Sequence, residues 1–294
     1  MGERDRNRRI VPRQGPSFSS VARLMLIPIV GLLLVILWSF IAAHLPPPST
    51  ASPKKGAKKP MQASAVPKVP HVSQHRGDVV LILDDVGFDH QPLSAAMEID
   101  PNLNFAVLPN ARNAILFANT LNARGFEILC HLPMEPEGFP KVSPGPNAVL
   151  TTMTAAEIAE TMRADLASVP HARGMNNHMG SRATADRRVM SSVLASLPKG
   201  MYFIDSRTTA GSVAATTARS MNVKTASRSV FLDDIPQDAA IRAQLQILLA
   251  DAEVKGVAVG IGHMYPATIR VLTADAPRLR ERGFRFVRAS AVVE

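Results

Sequence analysis

Five short apolar runs in this chain have the length of a β-strand, and each ends in carboxylate, imidazole or amide side chains. Val79–Leu83 runs into Asp84-Asp85, and Glu127–Cys130 into His131-Leu132-Pro133-Met134-Glu135. Gly174-Met175 leads to Asn176-Asn177-His178, Met201–Ile204 to Asp205, and Val257–Gly262 to His263. A buried strand favours apolar residues, and ionisable groups are costly to bury. Polar groups recurring where strands stop therefore predict one shared mouth of a parallel β/α architecture, where such folds carry their sites. Carboxylates and imidazoles together are also the usual ligands of a divalent metal and the usual acid–base pairs. The pattern points to an enzyme.

Strand and helix patterns alternate through the rest of this region. Val79–Leu83, Leu103–Leu108, Phe126–Cys130, Met201–Ile204, Val257–Ile261 and Phe284–Val287 read as strands, with shorter candidates near Arg173–Met175 and Val230–Leu232. Thr154-Ala155-Ala156-Glu157 is a capping box that predicts a helix to about Leu166. Asp186–Leu197, Pro236–Lys255 and Pro266–Arg282 read as three more helices, each closed by a nearby glycine. Strand–helix–strand repetition requires right-handed crossovers and a largely parallel sheet. About seven strands in residues 78–294 suit an incomplete (β/α) barrel better than a large open sheet.

The segment ahead of this domain is of another kind. Leu24–Ala43 is a nearly unbroken apolar run of 20 residues, long enough to cross a bilayer as a helix. Six arginines precede it against only Glu3 and Asp5, which predicts a cytoplasmic N-terminus for residues 1–23. A cleaved signal peptide is the rival expectation, but its apolar core is usually only about 7–15 residues. Arg8-Arg9 lies too far from the run for a twin-arginine signal. We therefore expect a single-pass signal anchor in the inner membrane with the following domain outside the cytoplasm. Residues 44–77 hold seven prolines and the cluster Lys54-Lys55-Gly56-Ala57-Lys58-Lys59, a composition that predicts a disordered tether.

The formal charge of +9 belongs to that leading segment. Residues 1–77 hold twelve of the 33 Lys and Arg and two of the 24 Asp and Glu, leaving 21 against 22, a net of −1, in residues 78–294. A nucleic-acid-binding face gets no support from that balance, nor from one Trp and two Tyr in the whole chain. With Cys130 as the single cysteine, no internal disulfide can form. In its apolar strand Cys130 is expected to be a small buried hydrophobe.

Each polar cluster admits a functional and a purely structural account. Asp84-Asp85 could hold a metal and reach a substrate, or could cap a turn. His131 and Glu135, four residues apart on a turn, can meet at one ion. Asn176-Asn177-His178-Met179-Gly180-Ser181 is the densest polar string; its amides and hydroxyl suit a sugar or a developing oxyanion, and His178 could ligate or move protons. Asp205 could orient an imidazole or pair locally with Arg207. His263 could serve as a general acid, while Asp233-Asp234 before Pro236 is explained by helix capping. His44, His71, His75 and His90 lie in linker or loop and receive no role.

Taken in order, these strings resemble the divergent polysaccharide deacetylases, a branch of the NodB-type carbohydrate esterases. The residues that carry the likeness are Ile82–Gly87, His131–Pro136, Gly174–Ser181, Asp205–Thr209 and Gly262-His263. The resemblance implies a NodB-like barrel with a divalent metal, zinc by expectation, acting on an N-acetylated cell-envelope glycan such as peptidoglycan. It implies Asp84 as general base, Asp85 and His131 as metal ligands, and His263 as general acid, oriented by Asp205. Asn176, Asn177 and Ser181 would then contact the glycan. This chain departs from the family pattern where a second metal histidine is expected: Glu135 stands there, while His178 appears elsewhere, and either could complete the site. A non-catalytic glycan-binding protein and a hydrolase of another ester or amide are the alternatives.

Overall fold

The computed structural model describes residues 75–294. The basic tail, Leu24–Ala43 and the linker to residue 74 lie outside the described residues. Among the described residues, no helix is long and apolar enough to cross a membrane.

Nine strands, all paired in parallel, alternate with seven α-helices among the described residues. The chain runs through β1 (Gly77–Val86), α1 (Leu93–Met97), β2 (Asn104–Val107), α2 (Ala114–Ala123) and β3 (Glu127–Met134). It continues with α3 (Ala155–Ser168), β4 (Gly174–Met179), α4 (Arg187–Ala195), β5 (Tyr202–Asp205) and α5 (Ala214–Ser220). Last come β6 (Thr225–Ser227), β7 (Val230–Phe231), α6 (Asp238–Lys255), β8 (Val257–His263), α7 (Pro266–Glu281) and β9 (Phe284–Phe286). The strand order is β6-β5-β4-β3-β2-β1-β8-β7, with β9 beside the first residues of β1.

The two outermost strands are neighbours in sequence, separated only by Arg228-Ser229. The Arg228 N–H donates to the Asp205 carbonyl of β5, and the Ser229 N–H to the Val259 carbonyl of β8. One short stretch thus leaves one edge of the sheet and joins the other. The sheet is an incomplete barrel whose seam is bridged by the chain itself.

The expectation of about seven strands was low. Of the nine, the one that matches none of the eight candidate stretches is β6, a Thr-Ala-Ser stretch with no apolar run, held by its pairing to β5 and by the Thr225 hydroxyl donating to the Phe203 carbonyl. Three helices also lacked a readable signal. In α2, Ile115 and Leu116 are exposed, which blurs the apolar stripe; α1 and α5 are short and rich in small residues. The helices that carried signals form where expected. Thr154 and Glu157 make the reciprocal capping box of α3, Asp186 caps α4, and Gly256 closes α6 in the left-handed conformation at φ 82°.

Side chains alternate between two environments along each strand, as the β period of two demands. Val79, Leu81, Leu83, Cys130, Met175 and Phe203 pack outward into the main core. Val80, Ile82, Leu129, Tyr202, Ile204, Val259 and Ile261 form a second cluster inside the barrel. Near its closed end the Tyr202 hydroxyl donates to Glu127, which also accepts from the Ser290 N–H. Glycine is needed at position 174, where a Cβ would sit 2.3 Å from the Tyr202 ring. Because Tyr202 is anchored through its hydroxyl, the ring cannot swing aside. We expect G174A to lose about 1–3 kcal/mol in urea unfolding, the usual range for overpacking.

Asp165, on α3, is fully buried; one carboxylate oxygen accepts from Asn110 and the other has no partner. Burial pushes its pKa up to about 7, and burial together with the Asp165 charge pushes the Cys130 thiol well up, which removes it as a nucleophile. A carboxyl raised in the folded state stabilises below the unfolded value of 3.8 and loses that contribution as pH climbs towards 7. D165N should therefore be more stable than the parent at pH 8 by about 2 kcal/mol, with the advantage fading towards pH 4. Denaturant midpoints measured across that pH range test both the sign and the window.

Candidate metal and acid–base centre

The inward column of each strand changes character at its C-terminal end. On β1 the inward series Val80, Ile82 continues to Asp84; on β3 Leu129 is followed by His131; on β8 Val259 and Ile261 are followed by His263. Register then brings these ends together. Asp84 lies opposite His263 across β1 and β8, and His131 opposite Asn176 across β3 and β4.

Just beyond β1's inward column, Asp85 takes a left-handed turn at φ 57°, a region that non-glycine residues occupy only under constraint. Gln91 supplies that constraint: its amide NH2 donates to the Asp85 carbonyl, and its oxygen accepts from the N–H groups of Gly87 and Phe88. Met179, the last residue of β4, and Arg207, on the loop after β5, are left-handed as well. Strained turns thus surround the site.

Asp85 Oδ1 stands 2.9 Å from His178 Nδ1 and 3.3 Å from His131 Nε2, and the two imidazole nitrogens are 3.3 Å apart. Oδ1 is buried yet makes no well-aligned hydrogen bond. Asn176 explains why His131 turns Nε2 this way. The amide NH2 of Asn176 donates to Asp84 Oδ1 at 2.9 Å and to Ser206 Oγ at 3.2 Å, which leaves its oxygen to accept from His131 Nδ1 at 2.9 Å. A proton on Nδ1 frees the Nε2 lone pair for an ion, the usual arrangement behind a metal-bound histidine. One carboxylate oxygen and two imidazole nitrogens converging on one point, with the oxygen otherwise orphaned, fit a divalent cation.

The fields around these groups agree. Burial alone would raise the Asp85 carboxyl, but the neighbouring imidazoles hold it well below the usual carboxylate range. Burial raises Asp84, which keeps it basic for a carboxylate. For His131, burial opposes charge, and Asp84 and Asp85 outweigh it, so its pKa rises. The negative potential that draws protons to this imidazole is the potential that would draw a cation.

His263 occupies the other side of the pocket, with Nε2 3.7 Å from Asp85 Oδ2. Its Nδ1 meets Asp233 Oδ1 at 2.9 Å, while Asp233 Oδ2 accepts from the His263 N–H and from the Thr268 hydroxyl. Phe231 and Tyr265 stack on the two sides of the imidazole at 5.5 and 5.1 Å. Burial lowers the His263 pKa, but the hydrogen bond and charge of Asp233, with help from Asp85 and Asp84, push it up to about 9. The pocket between these groups has a volume of about 230 Å³.

Several expected contributors lie elsewhere or do other work. Glu135 is outside the cluster: Thr151 donates to one oxygen from both N–H and hydroxyl, and Arg182 binds the other. Burial would raise its pKa, but those partners hold it low, and it acts as a loop clamp. His178 instead brings the third candidate ligand atom to Asp85 and His131. Asp205 accepts from the Arg207 N–H and the Ser212 hydroxyl, organising its own loop. The group that orients His263 is Asp233, which does not cap α6; the cap there is Gln237. Asn176 and Asn177 are buried and engaged internally, Asn177 bonding the Ser206 N–H and the Met179 carbonyl. Ser181 Oγ accepts from the Glu137 N–H. The amides of Asn176 and Asn177 are thus engaged within the protein. Asp233 could have been found by the same strand-end pattern, since it follows Val230–Leu232; Gln91 had no such mark.

Residues 81–293 match the model of a family described as divergent polysaccharide deacetylase. The chain belongs to that family. It is 34% identical over 197 residues to the protein YibQ of Escherichia coli K12, spanning 67% of this chain and 61% of YibQ, so it covers less than two thirds of that relative. An uncharacterized Haemophilus influenzae protein is 34% identical over 204 residues, with 69% of this chain and 72% of that one aligned. The crystal structure of Agrobacterium tumefaciens protein ATU2773 superposes with a TM-score of 0.71 at 22% identity, covering 76% of this chain and 92% of that one. That likeness establishes the shared fold.

The Asp233–His263 pair generates a spectroscopic prediction. In metal-free protein, D233N should lower the His263 pKa by at least about one unit towards 6.5. Imidazole chemical shifts followed against pH would measure the change; an unmoved His263 would show that Asp233 does not set it.

Proposed function

We propose that this protein is a zinc-dependent deacetylase of an N-acetylated cell-envelope glycan. The observation that carries the reading is the meeting of Asp85 Oδ1, His131 Nε2 and His178 Nδ1 beside a buried carboxylate and an oriented histidine. When bound there, a divalent ion would lower the pKa of a water molecule and polarise the acyl carbonyl. Asp84, fixed by Asn176 and raised in pKa by burial, is placed to take a proton from the attacking water. His263, kept protonated by Asp233, delivers a proton from Nε2 to the departing nitrogen. The products are acetate and a free amine on the sugar. The family description supports a polysaccharide as substrate. In this reading Leu24–Ala43 anchors the chain in the inner membrane, N-terminus in the cytoplasm, and residues 44–77 let the domain reach the glycan.

The test combines metal analysis with acetate release from peptidoglycan fragments and chito-oligosaccharides. We expect about one divalent ion per chain, lost in D85N, H131A and H178A, and lost activity in each. E135A should retain the ion while lowering thermal stability, because its carboxylate clamps loops. No bound metal after zinc loading would remove the catalytic reading. A metal site that released no acetate from either substrate would remove the proposed substrate.

A further inference from the structure

Ser206, on the turn after β5, lines the pocket between the metal cluster and His263 and is only 1% exposed. Its backbone is held on both sides. The N–H donates to Asn177 Oδ1 at 2.9 Å, and the carbonyl accepts from Arg228 Nε at 2.6 Å. The Arg228 guanidinium is itself laid over the Phe231 ring, 4.6 Å from its centre. The Ser206 side chain, by contrast, is half satisfied. Its oxygen accepts from the Asn176 NH2 at 3.2 Å, but among the described residues its own proton has no acceptor. A hydroxyl carries one donor and two lone pairs, and a buried donor without a partner is costly.

The other neutral donors around the pocket are spent. The Thr208 hydroxyl and the Asn177 NH2 both donate to the Met179 carbonyl, and Asn176 donates to Asp84 and Ser206. Ser206 is left with one proton to offer to whatever enters. Asn176 also fixes where that proton is: the NH2 that holds Asp84 Oδ1 holds Ser206 Oγ, so the hydroxyl stands beside the proposed base. A water that Asp84 deprotonates must lie against the acyl carbon, which brings the acyl oxygen to the same side. We infer that Ser206 donates its O–H to the acyl oxygen of the substrate as negative charge develops there. The inference rests on the deacetylase reading above and adds a catalytic residue to it. As the water oxygen bonds to the acyl carbon, one water proton goes to Asp84 and the C=O electron pair moves onto the acyl oxygen. The Ser206 hydrogen bond strengthens at that moment, and Ser206 transfers no proton. The pair then returns to re-form C=O, the C–N bond breaks, and the leaving nitrogen takes a proton from His263. The products are acetic acid, which ionises to acetate, and the amine. Because the hydroxyl is fixed before substrate arrives, it needs no reorganisation in the transition state.

The test compares parent, S206A and S206T as full chains loaded with zinc, on chito-oligosaccharides and peptidoglycan fragments. Loss of one oxyanion donor costs on the order of 10²-fold in kcat. We expect S206A to lose at least about tenfold in kcat with KM held within about twofold, and S206T, which keeps the hydroxyl, to recover most of the loss. Calorimetry gives a second readout that also serves where S206T does not fold. A chito-oligosaccharide carrying a methylphosphonamidate, a tetrahedral anion in place of one acetyl group, should bind S206A at least about tenfold more weakly, while the ordinary oligosaccharide binds both proteins alike. Damage passed through Asn176 would weaken the two ligands together. An unchanged kcat, or a loss that falls on KM and on both ligands, overturns the role of Ser206 and leaves the deacetylase reading intact. If the parent releases no acetate, the tetrahedral ligand decides. Its selective weakening in S206A sustains the donor while the catalytic reading falls, and equal binding, or none to the parent, overturns the donor as well.

Discussion

Everything at the centre depends on the inward-facing columns of a parallel sheet staying in register. Each column is apolar for most of its length and polar only at its last position, where the barrel opens. A slip of one residue between β1 and β8 would turn Asp84 or His263 to the helix side, among leucines that cannot solvate a charge. The apolar part of each column therefore sets the position of the polar end. Burying Val80, Ile82, Leu129, Val259 and Ile261 together is what holds Asp84, His131 and His263 around one pocket.

A second requirement is that buried charges have partners. Asn176 meets it for two groups at once, donating to Asp84 and accepting from His131, so one amide sets the direction of a carboxylate and the tautomer of an imidazole. Asp233 does the same for His263 with support from Thr268, and Gln91 holds the left-handed turn of Asp85. These residues touch no reacting atom in the proposed chemistry. They limit how far the reacting groups can relax, which is the condition for shifted pKa values to persist.

Much of this was legible in the residues. Six apolar runs and two shorter candidate stretches marked eight of the nine strands, and the capping box, Asp186 and the glycine after α6 marked helix ends that formed as read. Five of the polar strand-end residues, Asp84, Asp85, His131, His178 and His263, do meet. The errors have a common cause. Spacing in sequence suggested that His131 and Glu135 could share an ion, and the family resemblance suggested that Asp205 could orient His263. Glu135 lies where Thr151 and Arg182 capture it, and Asp205 is consumed by the turn that begins at Arg207. Local partners within reach of a short side chain outcompete distant ones, and a linear pattern does not reveal which partners the fold will supply.

The sequence by itself determined the parallel β/α class, the end of the barrel at which polar chemistry collects, and the family. The first two follow from periodicity and from the cost of burying charge, both of which are written residue by residue; the family follows from the likeness of the residue strings at the strand ends. Only the tertiary structure decided that His178 rather than Glu135 joins Asp85 and His131, and that Asp233 rather than Asp205 stands behind His263. Each is a contact between strands or loops far apart in the chain, fixed by strand register and loop packing rather than by local pattern.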